Sequence, residues 1–353
     1  MSEITRRDFV LSGLTAGIAA SVVPENLRAA MPLDSTSAIT DPYALVDPEL
    51  RPALNAFPTL TFNAQMLPTA RKEPALPARP APAPQAFERR IPGPPGAPEL
   101  RLVMVDPEPG KKGRPAFLHI HGGGYIAGFA GHDPAFLQTV AQNCKCLVVS
   151  VDYRLAPETH FPGSLEDNYT ALRWIYHNAD ELGVDRKRIA IGGESAGGGH
   201  SAQLAIAARD RREIPVLFQL LIYPMLDDRT GSMRPVPPHI GKFIWIAESN
   251  RFGWTSLLGV PAGLADVPAG AVPSRVENLA GVPPAFISVG AIDLFVDEDV
   301  EYARRLINAG VPTELHVTSG AYHGYDLLAP NAAASRRFTE SWTAALNRAF
   351  ANA

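Results

Sequence analysis

The chain has 353 residues, a formal net charge of −4 and 46% hydrophobic residues. That length is enough for one large domain with a full hydrophobic core, and the near-balanced charge without a basic patch argues against a nucleic-acid partner. The only cysteines, Cys144 and Cys146, are separated by a single residue, so a disulfide between them would be badly strained. They also lack the further ligands of a four-ligand metal cluster, and no metal or other cofactor is expected.

The N-terminus has the features of an export signal. Arg6 and Arg7 precede an apolar stretch over residues 11–23, which is followed by small residues around Ala30. A twin-arginine pair before a moderately apolar core is typical of bacterial Tat signals. The stretch is shorter than the roughly 20 residues of a membrane-spanning helix, so no stable membrane insertion is expected. We therefore expect removal of residues 1–30 and a periplasmic or secreted protein; a chance arginine pair on a cytoplasmic protein is the alternative.

Residues 31–85 are predicted to be an N-terminal segment and linker. One short helical pattern lies between Asp47 and Phe57, and a proline-rich run extends from residue 74 to 98. Such a composition favours extended, polyproline-like chain that wraps over the surface. The main domain is therefore expected over residues 86–353.

Strand and helix patterns alternate along this main domain. Short apolar runs predict strands and longer amphipathic runs predict helices. Alternation of this kind implies an α/β fold with a mostly parallel sheet and helices on both faces. The predicted strands are Phe87–Ile91, Leu100–Val105, Leu147–Val151, Arg188–Gly192, Ala285–Gly290 and Thr313–Val317. The predicted helices are Pro134–Asn143, Leu165–Leu182, Ala196–Arg212, Asp297–Asn308 and Ala333–Ala351.

The glycine run after the apolar segment 116–120 has two interpretations. Gly122, Gly124 and Ala127 fit a loose dinucleotide-binding fingerprint, and Asp152 ends the next apolar run at about the distance of a ribose ligand. That fingerprint needs its helix to open inside the glycine run, whereas here the helix begins near Pro134. We therefore favour the second interpretation, in which the glycines expose backbone N–H groups to a reacting oxygen.

A nucleophile motif lies farther along the chain, in the five residues Gly-Glu-Ser-Ala-Gly from Gly193 to Gly197. The motif G-x-S-x-G between a strand and a helix is the signature of a nucleophile elbow, a tight turn that leaves no room for side chains two residues either side of the serine. Ser195 is thus the candidate nucleophile. For Glu194, a buried carboxylate paired with a neighbouring hydroxyl or arginine is favoured over a catalytic role.

Three backbone N–H groups are candidates for an oxyanion hole. Gly123 and Gly124 let the main chain approach a substrate with both N–H groups free, and Ala196 follows the nucleophile. Such donors hold the negative charge that develops on the former carbonyl oxygen during acyl transfer. The glycine run and the elbow therefore support the same chemistry.

A serine nucleophile also needs a base and an orienting acid, which elbow enzymes supply in the chain order serine, acid, histidine. His323 lies in a loop directly beyond the predicted strand 313–317, where a mobile imidazole is expected. Asp293 follows the strand Ala285–Gly290 and is the favoured acid. Asp297 is a second candidate, although a carboxylate in the first turn of a helix is more simply explained by the helix dipole. The other histidines after the serine are His200, His239 and His316.

Taken together, these motifs resemble those of the hormone-sensitive-lipase-like (bacterial family IV) esterases of the α/β-hydrolase superfamily. The resemblance spans roughly residues 85–350, and the family pattern is broken only conservatively, by Glu194 in place of aspartate and Tyr325 in place of phenylalanine. The matching segments are His121-Gly122-Gly123-Gly124, Val151–Glu158, Gly193–Gly198, Asp293-x-x-x-Asp297-Glu298 and His323-Gly324.

The resemblance implies an α/β-hydrolase fold with an eight-stranded sheet and a cap. The cap would consist of the N-terminal segment and an insertion at about residues 228–275, and Arg154 and Glu158 would brace the loops around the site. By the same resemblance Ser195, His323 and Asp293 would be nucleophile, general base and orienting acid. The residues expected to line or roof the acyl pocket are Tyr125, Trp245 and Trp254, although both tryptophans could equally pack within the cap.

The function expected from these features is hydrolysis of short- to medium-chain acyl esters through an acyl-enzyme, with a small-molecule ester as the partner. Amide, lactone or xenobiotic-ester hydrolysis on the same triad stays open. A non-catalytic receptor is disfavoured by His323, and a lipase acting at lipid surfaces is disfavoured by the absence of a large apolar lid pattern. A homodimer through the last strand and helix is also open.

Overall fold

The computed structural model describes residues 41–72 and 84–353. The predicted export signal over residues 1–30 lies outside the described residues, as does part of the proline-rich run. Among the residues that are described, none of the helices is both long and apolar enough to cross a membrane.

One eight-stranded sheet organises the described residues, as the family resemblance implied. The strands follow the order β1-β2-β4-β3-β5-β6-β7-β8, with β1 and β2 antiparallel to their neighbours and the rest parallel. The strands are β1 Ala86–Ile91, β2 Leu100–Val105, β3 Arg114–Ile120, β4 Leu147–Val151, β5 Val184–Glu194, β6 Phe218–Ile222, β7 Ala285–Gly290 and β8 Thr313–Thr318. Strands β3, β4, β6 and β7 are buried along their whole length, which explains their continuous apolar runs.

Helices connect the strands and cover both faces of the sheet. Their bounds are α1 Arg51–Ala56, α2 Leu67–Ala70, α3 Pro134–Cys144, α4 Gly163–His177, α5 Ala179–Leu182, α6 Ala196–Arg211, α7 Ala247–Leu258, α8 Val296–Asn308, α9 Tyr325–Leu328 and α10 Ala333–Ala351. Four predicted helices are confirmed to within one residue at each end. The predicted single helix Leu165–Leu182 is wrong, because Asn178 leaves the helical conformation and its side-chain amide donates to the carbonyl of Trp174 at 2.8 Å.

The N-terminal residues 41–72 attach to the carboxyl edge of the sheet through specific contacts. Arg71 provides one of them: its guanidinium forms a two-point ion pair with Glu158 and donates to the carbonyls of Ile126 and Ala156. The Arg71 guanidinium lowers the pKa of the Glu158 carboxyl to about 2. Glu158 therefore braces the N-terminal segment against the loop after β4, and Arg71 also contacts the loop after β3 through Ile126.

Arg154 braces a different loop. Asp167 in α4 is fully buried and accepts hydrogen bonds from the backbone N–H, Nε and Nη2 of Arg154 at 2.8–2.9 Å. A buried carboxylate is stable only when its charge is paired and its oxygens accept hydrogen bonds. The Arg154–Asp167 pair therefore fixes the segment between β4 and α4.

Replacing Arg154 by methionine is expected to lower the free energy of unfolding by about 3 kcal/mol, because it leaves the Asp167 charge buried without a partner. Urea denaturation followed by circular dichroism measures the change. The matched control is Arg304→Met, which removes an exposed i,i+3 pair with Glu301 and is expected to cost under about 1 kcal/mol. Equal effects of the two substitutions would contradict the bracing role of Arg154.

Candidate active site

Ser195 occupies the turn between β5 and α6 in an unusual backbone conformation, with φ 56° and ψ −120°. Hydrogen bonds hold it there: its N–H donates to the carbonyl of Ile222, and its own carbonyl accepts from Gly199 and Met225, all at 2.9–3.0 Å. A non-glycine residue keeps such a conformation only where its surroundings impose it. The turn therefore points the serine hydroxyl away from the backbone of the sheet.

The glycines on either side of the serine are required by close packing. A Cβ atom on Gly193 or on Gly197 would lie 1.9 Å from the carbonyl oxygen of Ile120, the last residue of β3. Both distances are far below van der Waals contact. The glycines thus allow the elbow to lie against the strand that leads into the loop of residues 121–124.

His323 links the serine to an acid. Its Nε2 lies 2.9 Å from the Ser195 hydroxyl oxygen, and its Nδ1 lies 2.9 Å from a carboxylate oxygen of Asp293. The other oxygen of Asp293 accepts the backbone N–H of Phe295 at 3.0 Å. Asp293 is 1% exposed, and Ser195 and His323 are each 7% exposed. With Nδ1–H donated to the carboxylate, Nε2 is left as the acceptor that faces the serine hydroxyl.

The competing candidates lie elsewhere. Asp297 is exposed in the first turn of α8, whereas Asp293 is at the carboxyl end of β7. His200 is buried in α6 and hydrogen-bonded to Gln203 at 2.8 Å, and burial lowers its pKa to about 4. His316 pairs with Glu314 on β8. Of the candidate acids and histidines, Asp293 and His323 are the two that connect to the Ser195 hydroxyl by hydrogen-bonding contacts.

The loop after β3 presents two free donors next to the serine. Gly123 and Gly124 have φ angles of 119° and 61°, and their N–H groups donate to no described acceptor. The N–H groups of Ile126 and Ala127 donate to the carbonyl of Gly123, which closes the turn. Ala196 is the first residue of α6, so its N–H has no partner within the helix. Gly123 and Gly124 line the same cavity as Ser195, and Ala196 follows the serine directly in the chain.

His121 supports this loop from its buried side. Its ring is buried, stacks on Tyr153 with 4.2 Å between ring centroids, and its Nδ1 lies 2.8 Å from the carbonyl of Gly122. The Tyr153 hydroxyl donates to the His121 carbonyl at 2.9 Å. Burial lowers the pKa of His121 well below its usual value, so the ring is neutral and acts as a packing and hydrogen-bonding element.

A cavity of about 320 Å³ opens over the serine. Its walls combine the glycine loop, the elbow and His323 with side chains from the N-terminal segment and from the region before α7. The lining side chains away from the loop and elbow are Phe62, Ala70, His132, Asp133, Phe136, Tyr223, Ile244, Trp245, Asp326, Leu327 and Leu328. Most of this wall is apolar or aromatic, as in sites that bind small organic molecules.

Of the three predicted pocket residues, Trp245 lines the cavity. Its ring lies directly over Gly124, where an added Cβ would be 2.2 Å from the indole. Tyr125 and Trp254 are buried beneath, with ring centroids 5.0 Å apart, and neither is among the residues that line the cavity. The hydroxyl of Tyr125 donates to the carbonyl of Met225, so this tyrosine supports the glycine loop from the core.

The sequence alone did not predict the partners of two polar residues that line the cavity. Glu194 lies 3.0 Å from Nε2 of His119 in β3, whose Nδ1 lies 2.8 Å from the Ser150 hydroxyl, so its partner is a histidine and not the expected hydroxyl or arginine. Asp326 accepts from the Tyr223 hydroxyl at 3.0 Å, and burial raises its pKa to about 7. The only sequence signal for Asp326 was its position three residues after His323.

No metal site accompanies these residues. Among the described residues, no group of three or more histidine, cysteine, aspartate or glutamate side chains is arranged to hold a metal ion. The groups that the described residues bring to the site are a hydroxyl, imidazoles, carboxylates and backbone N–H groups.

The chain is similar to known α/β hydrolases and esterases. The family model described as alpha/beta hydrolase fold matches residues 117–327. Esterase LipI of Mycobacterium tuberculosis is 34% identical over 300 residues, which cover 83% of this chain and 91% of LipI. Carboxylesterase NlhH of the same species is 35% identical over 317 residues, which cover 86% of this chain and 96% of NlhH.

Solved structures agree with the sequence relatives. A structure titled bacterial heroin esterase superposes with a TM-score of 0.79 at 37% identity, covering 88% of this chain and 99% of that one. Esterase LipW of Mycobacterium marinum superposes with a TM-score of 0.75 at 32% identity, covering 87% and 97%. The chain belongs to the α/β-hydrolase superfamily, in its hormone-sensitive-lipase-like group. Within that group it is a carboxylesterase.

Proposed function

We propose that this carboxylesterase hydrolyses short- to medium-chain acyl esters with Ser195 as nucleophile, His323 as general base and Asp293 as orienting acid. The observation that supports the proposal is one continuous chain of contacts, from Asp293 through His323 to the Ser195 hydroxyl, with each link at 2.9 Å. These contacts end at an apolar cavity lined by Gly123 and Gly124, whose N–H groups, like that of Ala196, donate to no described acceptor.

In the proposed mechanism, Nε2 of His323 takes the serine proton as the Ser195 oxygen attacks the ester carbonyl. Asp293 holds the imidazole in the required tautomer and stabilises the imidazolium that forms. The N–H groups of Gly123, Gly124 and Ala196 receive the oxyanion. His323 then protonates the departing alcohol. Water repeats the sequence on the acyl-enzyme and releases the acid.

The size of the cavity supports the proposed acyl range. About 320 Å³ is at the low end of the volumes usual for ligand sites. Trp245 closes the cavity over Gly124, and Phe62 packs on Trp245 with 5.4 Å between ring centroids. Long acyl chains would have to displace these rings. The names of the similar proteins are those of esterases, which favours an ester over an amide as substrate.

The choice of acid is tested by two isosteric substitutions. Asp293→Asn is expected to lower kcat for p-nitrophenyl butyrate by about 10⁴-fold, because the amide favours the wrong imidazole tautomer. Asp297→Asn, on the exposed face of α8, is the matched control and should keep kcat within about twofold. Steady-state kinetics on both variants test which aspartate is the orienting acid. A large loss of kcat in Asp297→Asn with little loss of kcat in Asp293→Asn would reverse the assignment.

The acyl range is tested with p-nitrophenyl esters from acetate to palmitate. We expect kcat/KM to be highest for the short esters and to fall steeply beyond octanoate. Trp245→Ala should shift the optimum to longer chains, because it removes the ring that closes the cavity. The control Trp174→Ala changes a tryptophan on α4 that does not line the cavity, and its chain-length profile should match that of the wild type. An unchanged profile in Trp245→Ala would contradict the proposed wall.

We also propose that the protein is exported through its twin-arginine pair. With the full chain expressed in a Tat-competent bacterium, replacing Arg6 and Arg7 together by lysine is expected to move esterase activity from the periplasmic to the cytoplasmic fraction. Arg28→Lys is the control and should leave export unchanged. Periplasmic activity in the double variant, or cytoplasmic activity in the wild type, would count against export by this route.

A further inference from the structure

The charged side chains that line the cavity are carboxylates. Glu194 lines the cavity, and its Oε1 is buried and accepts no hydrogen bond from any described group. Among the described groups, Asp326 accepts hydrogen bonds from the Tyr223 hydroxyl and a backbone N–H. Asp133 contributes a third carboxylate, which also caps α3 by accepting the N–H of Phe136. Carboxylates around a cavity that is shielded from water attract a positive charge, so a cationic ligand is favoured here.

The imidazole of His132, in the same wall, does not offset the negative charges of these carboxylates. Nδ1 of His132 lies 3.2 Å from the carbonyl of Phe129, so it carries the proton and leaves Nε2 as a further acceptor. Burial lowers the pKa of His132, which keeps the ring neutral at pH 7. The contact of Glu194 with His119 occupies Oε2.

Basic side chains are not part of this wall. Among the described residues that line the cavity there is no lysine or arginine. The neighbouring Arg71 directs its guanidinium to Glu158 and to two backbone carbonyls behind the glycine loop. An anionic ligand group would therefore meet three carboxylates without a cation to pair with.

Aromatic rings complete the wall. Phe62, Phe136, Tyr223 and Trp245 all line the cavity. The face of an aromatic ring attracts a cation, most strongly when the site is shielded from water. Carboxylates and aromatic rings together are thus complementary to a bulky ammonium group and not to a carboxylate.

We propose that this cavity selects esters that carry a cationic ammonium group close to the ester bond, and that Asp326 and Glu194 supply the selectivity. The proposal rests on the proposed function, since it assumes that the cavity over Ser195 holds the substrate. Asp326 is the more direct residue to test, because asparagine can still accept the Tyr223 hydroxyl while it removes the charge.

The test compares two esters of the same shape, acetylcholine and its uncharged isostere 3,3-dimethylbutyl acetate. The assay is run at pH 8, where the Asp326 carboxyl, with its pKa of about 7, is ionised. We expect kcat/KM to favour acetylcholine by about tenfold, and Asp326→Asn to remove most of that preference. The ratio of two substrates on one enzyme cancels any general loss of activity. Asp297→Asn, an exposed carboxylate outside the cavity, should leave the ratio unchanged.

Two further measurements separate the selectivity from the catalytic proposal. Turnover of p-nitrophenyl acetate reports esterase activity independently of any cation, and equilibrium binding of the two isosteres to Ser195→Ala reports selectivity without turnover. Normal p-nitrophenyl acetate turnover with a ratio at or below one overturns the cation proposal and leaves the triad intact. Preferential binding of acetylcholine to Ser195→Ala that is lost in Ser195→Ala/Asp326→Asn supports it, even if no ester is turned over.

Discussion

The close approach of the Ser195 turn to the end of β3 is the constraint on which the rest of the site depends. Gly193 and Gly197 both lie against the carbonyl of Ile120, and neither position has room for a Cβ atom. The unfavourable φ of Ser195 persists because its N–H and carbonyl are bound by Ile222, Gly199 and Met225. The hydroxyl is thus presented by a rigid turn, as a reacting group requires.

The register of the sheet places the other residues of the site close to this turn. Ile120 pairs with Gly193, so the loop after β3 and the elbow after β5 begin side by side. Asp293 follows β7 and His323 follows β8, at the same carboxyl edge of the parallel strands. Loops at this edge converge, which is why Ser195 and His323, 128 positions apart in the chain, meet within hydrogen-bonding distance. The cavity and its carboxylates then lie where those loops and the N-terminal segment meet.

Sequence patterns predicted six of the eight described strands, four of the longer helices and the candidate triad, because each depends on local chemistry. An apolar run marks a buried strand, and the glycines at positions 193 and 197 mark a turn that excludes side chains. Asn178 shows the limit of that logic, since the helical pattern continues through it while its side chain competes for the carbonyl of Trp174. Propensity alone does not decide such a competition.

The walls of the cavity could not be predicted in the same way. Trp245 and Trp254 both lie in apolar stretches, and only the packing of α7 and the residues before it puts one over Gly124 and the other beneath Tyr125. The acceptors Glu194 and Asp326 come from separate elements, and no local pattern tells which partners they meet. Burial can be predicted from composition, but the identity of a neighbour depends on the whole fold.

Covalent labelling tests the central claim, that the Ser195 hydroxyl is made nucleophilic by His323, most directly. The full chain is treated with diethyl p-nitrophenyl phosphate, and digested peptides are analysed by mass spectrometry. If His323 activates Ser195, we expect one diethylphosphoryl group per chain, on the peptide that contains Ser195. Labelling should be slowed by orders of magnitude in His323→Ala. Labelling of another residue, or equal labelling rates with and without the imidazole, would contradict the activation of Ser195 by His323.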